Sequence, residues 1–284
     1  MVVSPLDDGS WDMKADKLFD IKGDVIAITG AASGIGLAIA EVLAANQAKL
    51  ALFDVDEESL EAASDRLMHA GARVFARPVD VRDRLALRQV FDAAVDHYGA
   101  LDTVFANAGI GAGPGFVGLD GTRYPGSAFE AITDSLWDDV IAVNLSGVFA
   151  TIQAAVPHMK SRRMGRIIVT TSVASVRNEG WIGTPYMPAK AGAAHLVRQA
   201  ALELAEFNIT VNAIAPGAFA TNIGGGRLKS ETIAATISRI IPQGRIADPR
   251  DIQGLALFLA SRAANFITGA EIAIDGGASL GRVS

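Results

Sequence analysis

The chain has 284 residues and no cysteine. That excludes disulfides, zinc–thiolate sites and a cysteine nucleophile. Its four histidines, His69, His97, His158 and His195, show no metal-ligand spacing and no HExxH stretch occurs, so no metal site is expected. No apolar run reaches the 18 or so residues of a membrane span, and a membrane partner is not expected. Positive charge is not in surplus: the net charge of −6 gives no sign of a nucleic-acid-binding surface. The first 20 residues lack an apolar h-region and an Arg-rich face, and their acidic residues outnumber the basic ones. They read as a short polar extension rather than a signal or transit peptide, so a cytoplasmic chain is expected. Internal repeats, low-complexity stretches and a linker to a second domain are all missing.

What is present is a large apolar inventory, 50% of the residues, arranged in short runs. Val25–Ile28, Leu50–Phe53, Val74–Ala76, Thr103–Ala106, Arg166–Thr170, Thr210–Ile214 and Glu271–Ile274 read as strands. Helical patterns lie between them, including Leu136–Lys160 and Met187–Glu206. Near-continuous apolar strands alternating with helices argue for a parallel sheet covered on both faces. The expected fold is α/β: a single Rossmann-type, doubly wound domain over 21–284, preceded by the extension at 1–20.

The first strand runs into Thr29-Gly30-Ala31-Ala32-Ser33-Gly34-Ile35-Gly36, and a helical pattern follows. Glycines here let the backbone turn tightly and approach a pyrophosphate, whose charge is favoured at a helix N-terminus. The spacing is G-x-x-x-G-x-G, not the general G-x-G-x-x-G. Asp54 closes the second strand at the distance where a carboxylate hydrogen-bonds the ribose hydroxyls of a dinucleotide. It would repel a 2′-phosphate, and no Lys or Arg stands in the glycine turn or just after Asp54. The balance points to NAD(H) rather than NADP(H).

At the other end of the chain stand Tyr186 and Lys190, with Ser172 upstream. On a helix, residues i and i+4 share a face, so the ammonium can sit beside the phenol. A tyrosine ordinarily titrates near a pH of about 10, and a neighbouring cation lowers that value towards the range useful for proton transfer. A serine hydroxyl reaching the same substrate oxygen would complete a site that moves a proton on or off an alcohol.

With these motifs in this order, the chain resembles the short-chain dehydrogenase/reductase family, in its main branch of about 250 residues, over roughly residues 18 to 279. By that resemblance Gly30, Ser33, Gly34, Ile35 and Gly36 cradle the cofactor, and Asp54 and Val55 meet its ribose. The aspartate of Asp80-Val81 touches the adenine. Asn107-Ala108-Gly109 stabilises the sheet and borders the cofactor, and Pro216, Gly217 and Thr221 touch the nicotinamide end. Asn144, Ser172, Tyr186 and Lys190 match the catalytic set: Asn144 holds a water in a proton relay, and Lys190 also binds the nicotinamide ribose. The family implies hydride transfer between a nicotinamide and a carbonyl or alcohol, and with the charge balance at Asp54 the expected cofactor is NAD and the expected substrate a small secondary alcohol or its ketone. A nucleotide-binding regulatory protein, or an epimerase or dehydratase on the same scaffold, remains an alternative.

Three stretches depart from the family pattern. The interval from Ile110 to Trp137 is about a dozen residues longer than expected and rich in Gly and Pro, a surface loop or a border of the substrate site. Pro188 and Ala189 stand between Tyr186 and Lys190, where a proline in a first helical turn is tolerated. Arg177, Asn178 and Glu179 fall in the loop that lines the family's substrate pocket, as substrate contacts or as solvated charges. Two helical stretches carry apolar residues on more than one face: Val140, Ile141, Val143, Val148, Phe149, Ile152 and Val156, and Ala191, Ala194, Leu196, Val197, Leu202 and Leu204. A second stripe suggests a second buried surface, and a homotetramer is expected.

Overall fold

Short apolar runs become strands here because each is bounded by a turn and buried on both faces. The computed structural model describes residues 14–281. In chain order the elements are α1 (Ala15–Leu18), β1 (Val25–Thr29), α2 (Gly34–Ala45), β2 (Lys49–Asp54), α3 (Glu57–His69), β3 (Arg73–Pro78), α4 (Arg84–Tyr98), β4 (Thr103–Ala106), α5 (Asp134–Ile141), α6 (Gly147–Arg162), β5 (Gly165–Thr170), α7 (Tyr186–Leu204), β6 (Ile209–Pro216), α8 (Glu231–Ser238), α9 (Gln253–Ala260) and β7 (Glu271–Ile274). Most of the predicted extension, residues 1–13, lies outside the described residues. The rest is a single helical turn, after which Phe19 packs on Phe258 and Ile21 is buried in the core.

All seven strands are parallel, in the order β3-β2-β1-β4-β5-β6-β7. Winding outward from β1 to β3 and then back past it to β4 opens a crevice at the strands' carboxyl ends. Alternate residues feed opposite layers: Ile26, Ile28 and Leu50 pack towards α2 and α9, while Ala27, Phe53 and Val104 face α4, α6 and α7. Helix starts follow their caps. Asp56 accepts from Ser59 N (3.0 Å), Asp83 from Ala86 N (2.9 Å) and Thr133 from Leu136 N (3.2 Å). Beneath the sheet Asp102 accepts from Val25 N (2.8 Å) and pairs with Arg162 (2.8 Å), tying β1, β4 and α6 together.

The helix predicted at Leu136–Lys160 is broken in register rather than in direction. A π turn, Ala142–Ser146, joins α5 to α6 in one helical run over 134–162. By length and composition this run could cross a membrane, but 56% of its most apolar window is buried inside the molecule. The apolar positions of this run and of α7 are mostly used within the chain. Val140, Val143, Val148, Ile152, Ala194, Val197 and Leu204 are all buried within the chain, leaving Phe149 and Leu202 as the large exposed members.

Candidate active site

Two cavities meet at the carboxyl ends of the strands. The longer, about 810 Å³, runs along the crevice from Asp54 and Asp80 past the glycine turn to Tyr186 and Lys190. The second, about 550 Å³, lies between α8 and the loop before α7. Ser172, Tyr186 and Gly217 line both, so the junction of the cavities is where the three residues sit.

Every residue assigned to the cofactor from sequence lines the first cavity. The glycines are needed by contact as well as by conformation. A Cβ on Gly30 would lie 2.8 Å from Ala108 Cα, and one on Gly36 would run into the Gly30 carbonyl oxygen. Ser33 places no side-chain cap on α2, so the first-turn N–H groups remain available to an anion in the cleft. Asn107 holds the turn from the other side. It donates to the carbonyls of Thr29 (3.2 Å) and Gly30 (3.1 Å) and accepts from Thr170 Oγ1 (2.9 Å), which locks β1 to β5. Gly217 N donates to Ile274 O (3.0 Å), extending the β6–β7 ladder, and Thr221 beyond it is buried against Gly34 in the cleft wall. This cradle fits a dinucleotide on the chain's own geometry.

At the cleft's outer end, Asp54 accepts from Ala32 N (2.9 Å) and Asp56 N (3.1 Å), which fix its carboxylate beside the glycine turn. Val55 forms the exposed rim. Asp80 lines the cleft, but its carboxylate is taken in a fork by Arg82 (2.9 and 2.6 Å), whose hydrogen bonding holds it below the usual carboxylate range. Arg82 also reaches Asp139 (3.2 Å). This fork was not foreseen from sequence. The residue pair is adjacent, but Asp139 comes from a distant helix.

At the inner end, α7 begins at Tyr186, and Pro188 falls in its first turn without disturbing the helix. Tyr186 and Ser172 stand together at the junction of the two cavities. Ser172 is held extended, its oxygen accepting from Ala174 N (3.1 Å). Lys190 is buried, 2% exposed, and donates to Thr170 O (2.8 Å), with its ammonium 5.7 Å from the Tyr186 ring centre. Sequence reasoning made Lys190 the group that lowers the tyrosine. The structure ranks the causes differently. Desolvation pushes the Tyr186 phenol up to about 12, opposed by the neighbouring Ser172 hydroxyl, and desolvation pulls Lys190 down to about 8. Neither charge is comfortable alone in this pocket. A charged Lys190 beside the phenol would ease proton loss from Tyr186.

Asn144 sits in the π turn, fully buried, outside both cavities. Its amide accepts from Ile110 N (3.2 Å) and donates to Ile110 O (2.9 Å), clamping the loop after β4. Gly109 separates it from Lys190: a Cβ there would meet Asn144 Oδ1 at 2.9 Å and Lys190 Nζ at 3.5 Å. A π turn is a frequent device at functional sites, and here it presents Asn144 inward beside the lysine.

The long interval after Ile110 borders the second cavity, and so does the loop carrying Arg177 and Glu179. Arg177 pairs with Glu179 (3.1 Å), while Asn178 is exposed. Sequence reasoning missed the opposite wall, Ile233, Ile237 and Ile240 of α8 and the following turn, whose apolar period was the available signal.

Comparison with known proteins agrees with this architecture. A family model described as enoyl-(acyl carrier protein) reductase matches residues 30–279. The chain is 35% identical over 264 residues to 5-keto-D-gluconate 5-reductase of Escherichia coli (strain K12), covering 92% of this chain and 97% of that one. It superposes on a gluconate 5-dehydrogenase from Burkholderia cenocepacia, solved with NADP and tartrate, with TM-score 0.84 and 30% identity over 94% of this chain and 99% of that one. It likewise superposes on carveol dehydrogenase from Mycobacterium avium, solved with NAD, with TM-score 0.82 and 29% identity over 92% and 99% of the two chains.

Proposed function

The chain belongs to the short-chain dehydrogenase/reductase family, and from that premise we propose that it interconverts a small secondary alcohol and its ketone with NAD(H), using Tyr186 as general acid and base. The observation that carries this reading is the meeting of Ser172 and Tyr186 at the junction of the two cavities, with the buried Lys190 ammonium 5.7 Å from the phenol ring centre. The nicotinamide, when bound, accepts or supplies the hydride. The chain's own residues do the rest. Ser172 donates to the substrate oxygen and sets it against the phenol. Tyr186 takes the hydroxyl proton during oxidation and returns it during reduction. Lys190 stabilises the phenolate and passes charge towards the interior at Thr170 and Asn144, where a relaying water would be held. Asp139 and Asp80 retain Arg82 at the adenine end.

The preference for NAD(H) rests on the charge at the ribose end. Asp54 presents a fixed carboxylate. Among the described residues lining the cleft the cations are Lys190, at the far end, and Arg82, already engaged by two carboxylates. Among the described side chains, a 2′-phosphate would meet a negative charge and no free cation. The relatives include one solved with NADP and one with NAD, so this preference is a property proposed for this chain's residues. A screen of the purified protein against secondary alcohols, following reduction of NAD, tests the reading. Turnover with NAD supports it, and a protein that binds NAD but reduces none across the panel contradicts it.

A further inference from the structure

The second cavity carries information about the substrate, beyond the oxidoreductase reading on which it rests. One wall is the long interval after β4, and it is clasped to the loop before α7. Gly115 N donates to Trp181 O (3.1 Å), Val117 N to Gly180 O (3.1 Å) and Gly183 N to Gly113 O (3.2 Å), and Pro114 and Ile182 form an antiparallel bridge. The strands approach so closely that a Cβ on Gly115 would strike the Gly180 carbonyl oxygen, and one on Gly183 the Ala112 carbonyl oxygen. The opposite wall is the apolar face of α8, with Ile233, Ile237 and Ile240. A wall tied by backbone hydrogen bonds and glycine contacts presents a fixed shape rather than an adaptable loop.

The charged groups of this cavity are already matched to partners within the chain. Arg177 pairs with Glu179 (3.1 Å) and donates to the Ala278 carbonyl, with side-chain exposures of 25% and 15% for the pair. The second Glu179 oxygen accepts from Trp181 Nε1 (2.9 Å). Asp120 spends both oxygens on Thr122, each at 2.9 Å. Among the described lining residues no cation is left for a substrate carboxylate, and few donors are left for a run of hydroxyls. Binding a sugar acid would leave its polar groups desolvated against isoleucines, which is costly. A neutral ring system would instead bury apolar surface on both walls, and about 550 Å³ lies within the usual range of small-molecule sites, roughly 300–1,000 Å³. We propose that the clasped insertion and α8 form a specificity chamber for a neutral, largely apolar cyclic secondary alcohol or ketone, bicyclic or larger, and that sugar acids are excluded from it.

Trp181 in the wall supplies a readout independent of turnover. Borneol as the bicyclic probe and D-gluconate as the sugar-acid probe are titrated against the NAD-loaded Tyr186→Phe variant, following tryptophan fluorescence, with Trp181→Phe in the same background as control. Borneol is expected to give a saturable change that Trp181→Phe abolishes, and gluconate none. In the wild-type enzyme, Ile233→Trp narrows the chamber and is expected to raise KM for borneol about tenfold or more while leaving KM for 2-butanol within about twofold. Saturable gluconate binding, a borneol signal that survives Trp181→Phe, or equal effects of Ile233→Trp on both alcohols would overturn the proposal. Gluconate turnover with no borneol binding would reject the chamber but retain the oxidoreductase. Borneol binding without turnover of any alcohol would do the reverse.

Discussion

Replacing Lys190 with methionine should make the cofactor-free protein more stable at neutral pH and less stable relative to wild type as pH rises. Lys190 is 2% exposed, and burial lowers its pKa from 10.5 to about 8. Between these values the native state holds fewer protons than the unfolded chain, so wild-type stability rises with pH through that window. Below about pH 8 the cost of the buried ammonium is present in full. At about 1.4 kcal/mol per pH unit it comes to about 3 kcal/mol at pH 7. Methionine has similar bulk and no charge, but it leaves Thr170 O without its 2.8 Å donor, a loss of about 1 kcal/mol. The expected net is a variant about 2 kcal/mol more stable at pH 7, with the advantage shrinking to near zero by about pH 9.5. Tyr186 does not disturb the comparison, because its folded value of about 12 lies above the window. Urea unfolding of both proteins at pH 7 and 9.5, without nucleotide, reads the difference. A variant less stable than wild type at pH 7, or a stability difference that does not change with pH, would refute the reasoning. The functional corollary is that this lysine is kept at a cost to the fold.

Other outcomes follow from the same geometry. Asp54→Ala should narrow or reverse the preference between NAD(H) and NADP(H), measured as the ratio of kcat/KM values, and a wild-type protein already favouring NADP(H) would remove the basis for it. Asp102→Ala should lower stability by about 2 kcal/mol through the lost bond to Val25 N and the broken pair with Arg162, with no change in m-value on denaturation. Light scattering at micromolar concentration should give a mass near four times the chain's 29.5 kDa. The exposed Phe149, Leu202 and Phe266 support that assembly, and a mass equal to one chain would reject it.

Local patterns carried much of this molecule. The buried runs Val25–Ile28 and Leu50–Phe53 declare themselves as parallel strands because both their faces are covered, and the glycine turn and Asp54 follow at spacings set by the βαβ unit. Tyr186, Lys190 and Ser172 were legible because a helical period and a strand end place them. What was not legible depends on residues far apart in the chain. The clasp between 113–117 and 180–183 is a backbone pairing across more than sixty positions, with no side-chain signature beyond its glycines. The Arg82 fork needs Asp139 from another helix. The π turn at Asn144 changes a hydrogen-bond ladder without changing the apolar pattern that announces the helix. The direction of the Tyr186 shift needed the depth of burial, which a Tyr-x-x-x-Lys spacing does not carry.

The most direct test of the account compares Tyr186→Phe with the wild-type enzyme on an alcohol found in the NAD screen, with NADH binding followed in parallel by nucleotide fluorescence. The substitution keeps the ring and its packing and removes the hydroxyl that meets Ser172 at the junction of the cavities. The account predicts NADH affinity within about threefold of wild type and a kcat reduced by about a hundredfold or more. A variant that binds NADH normally and keeps more than about a tenth of the wild-type kcat would contradict the assignment of Tyr186 as the proton-carrying group.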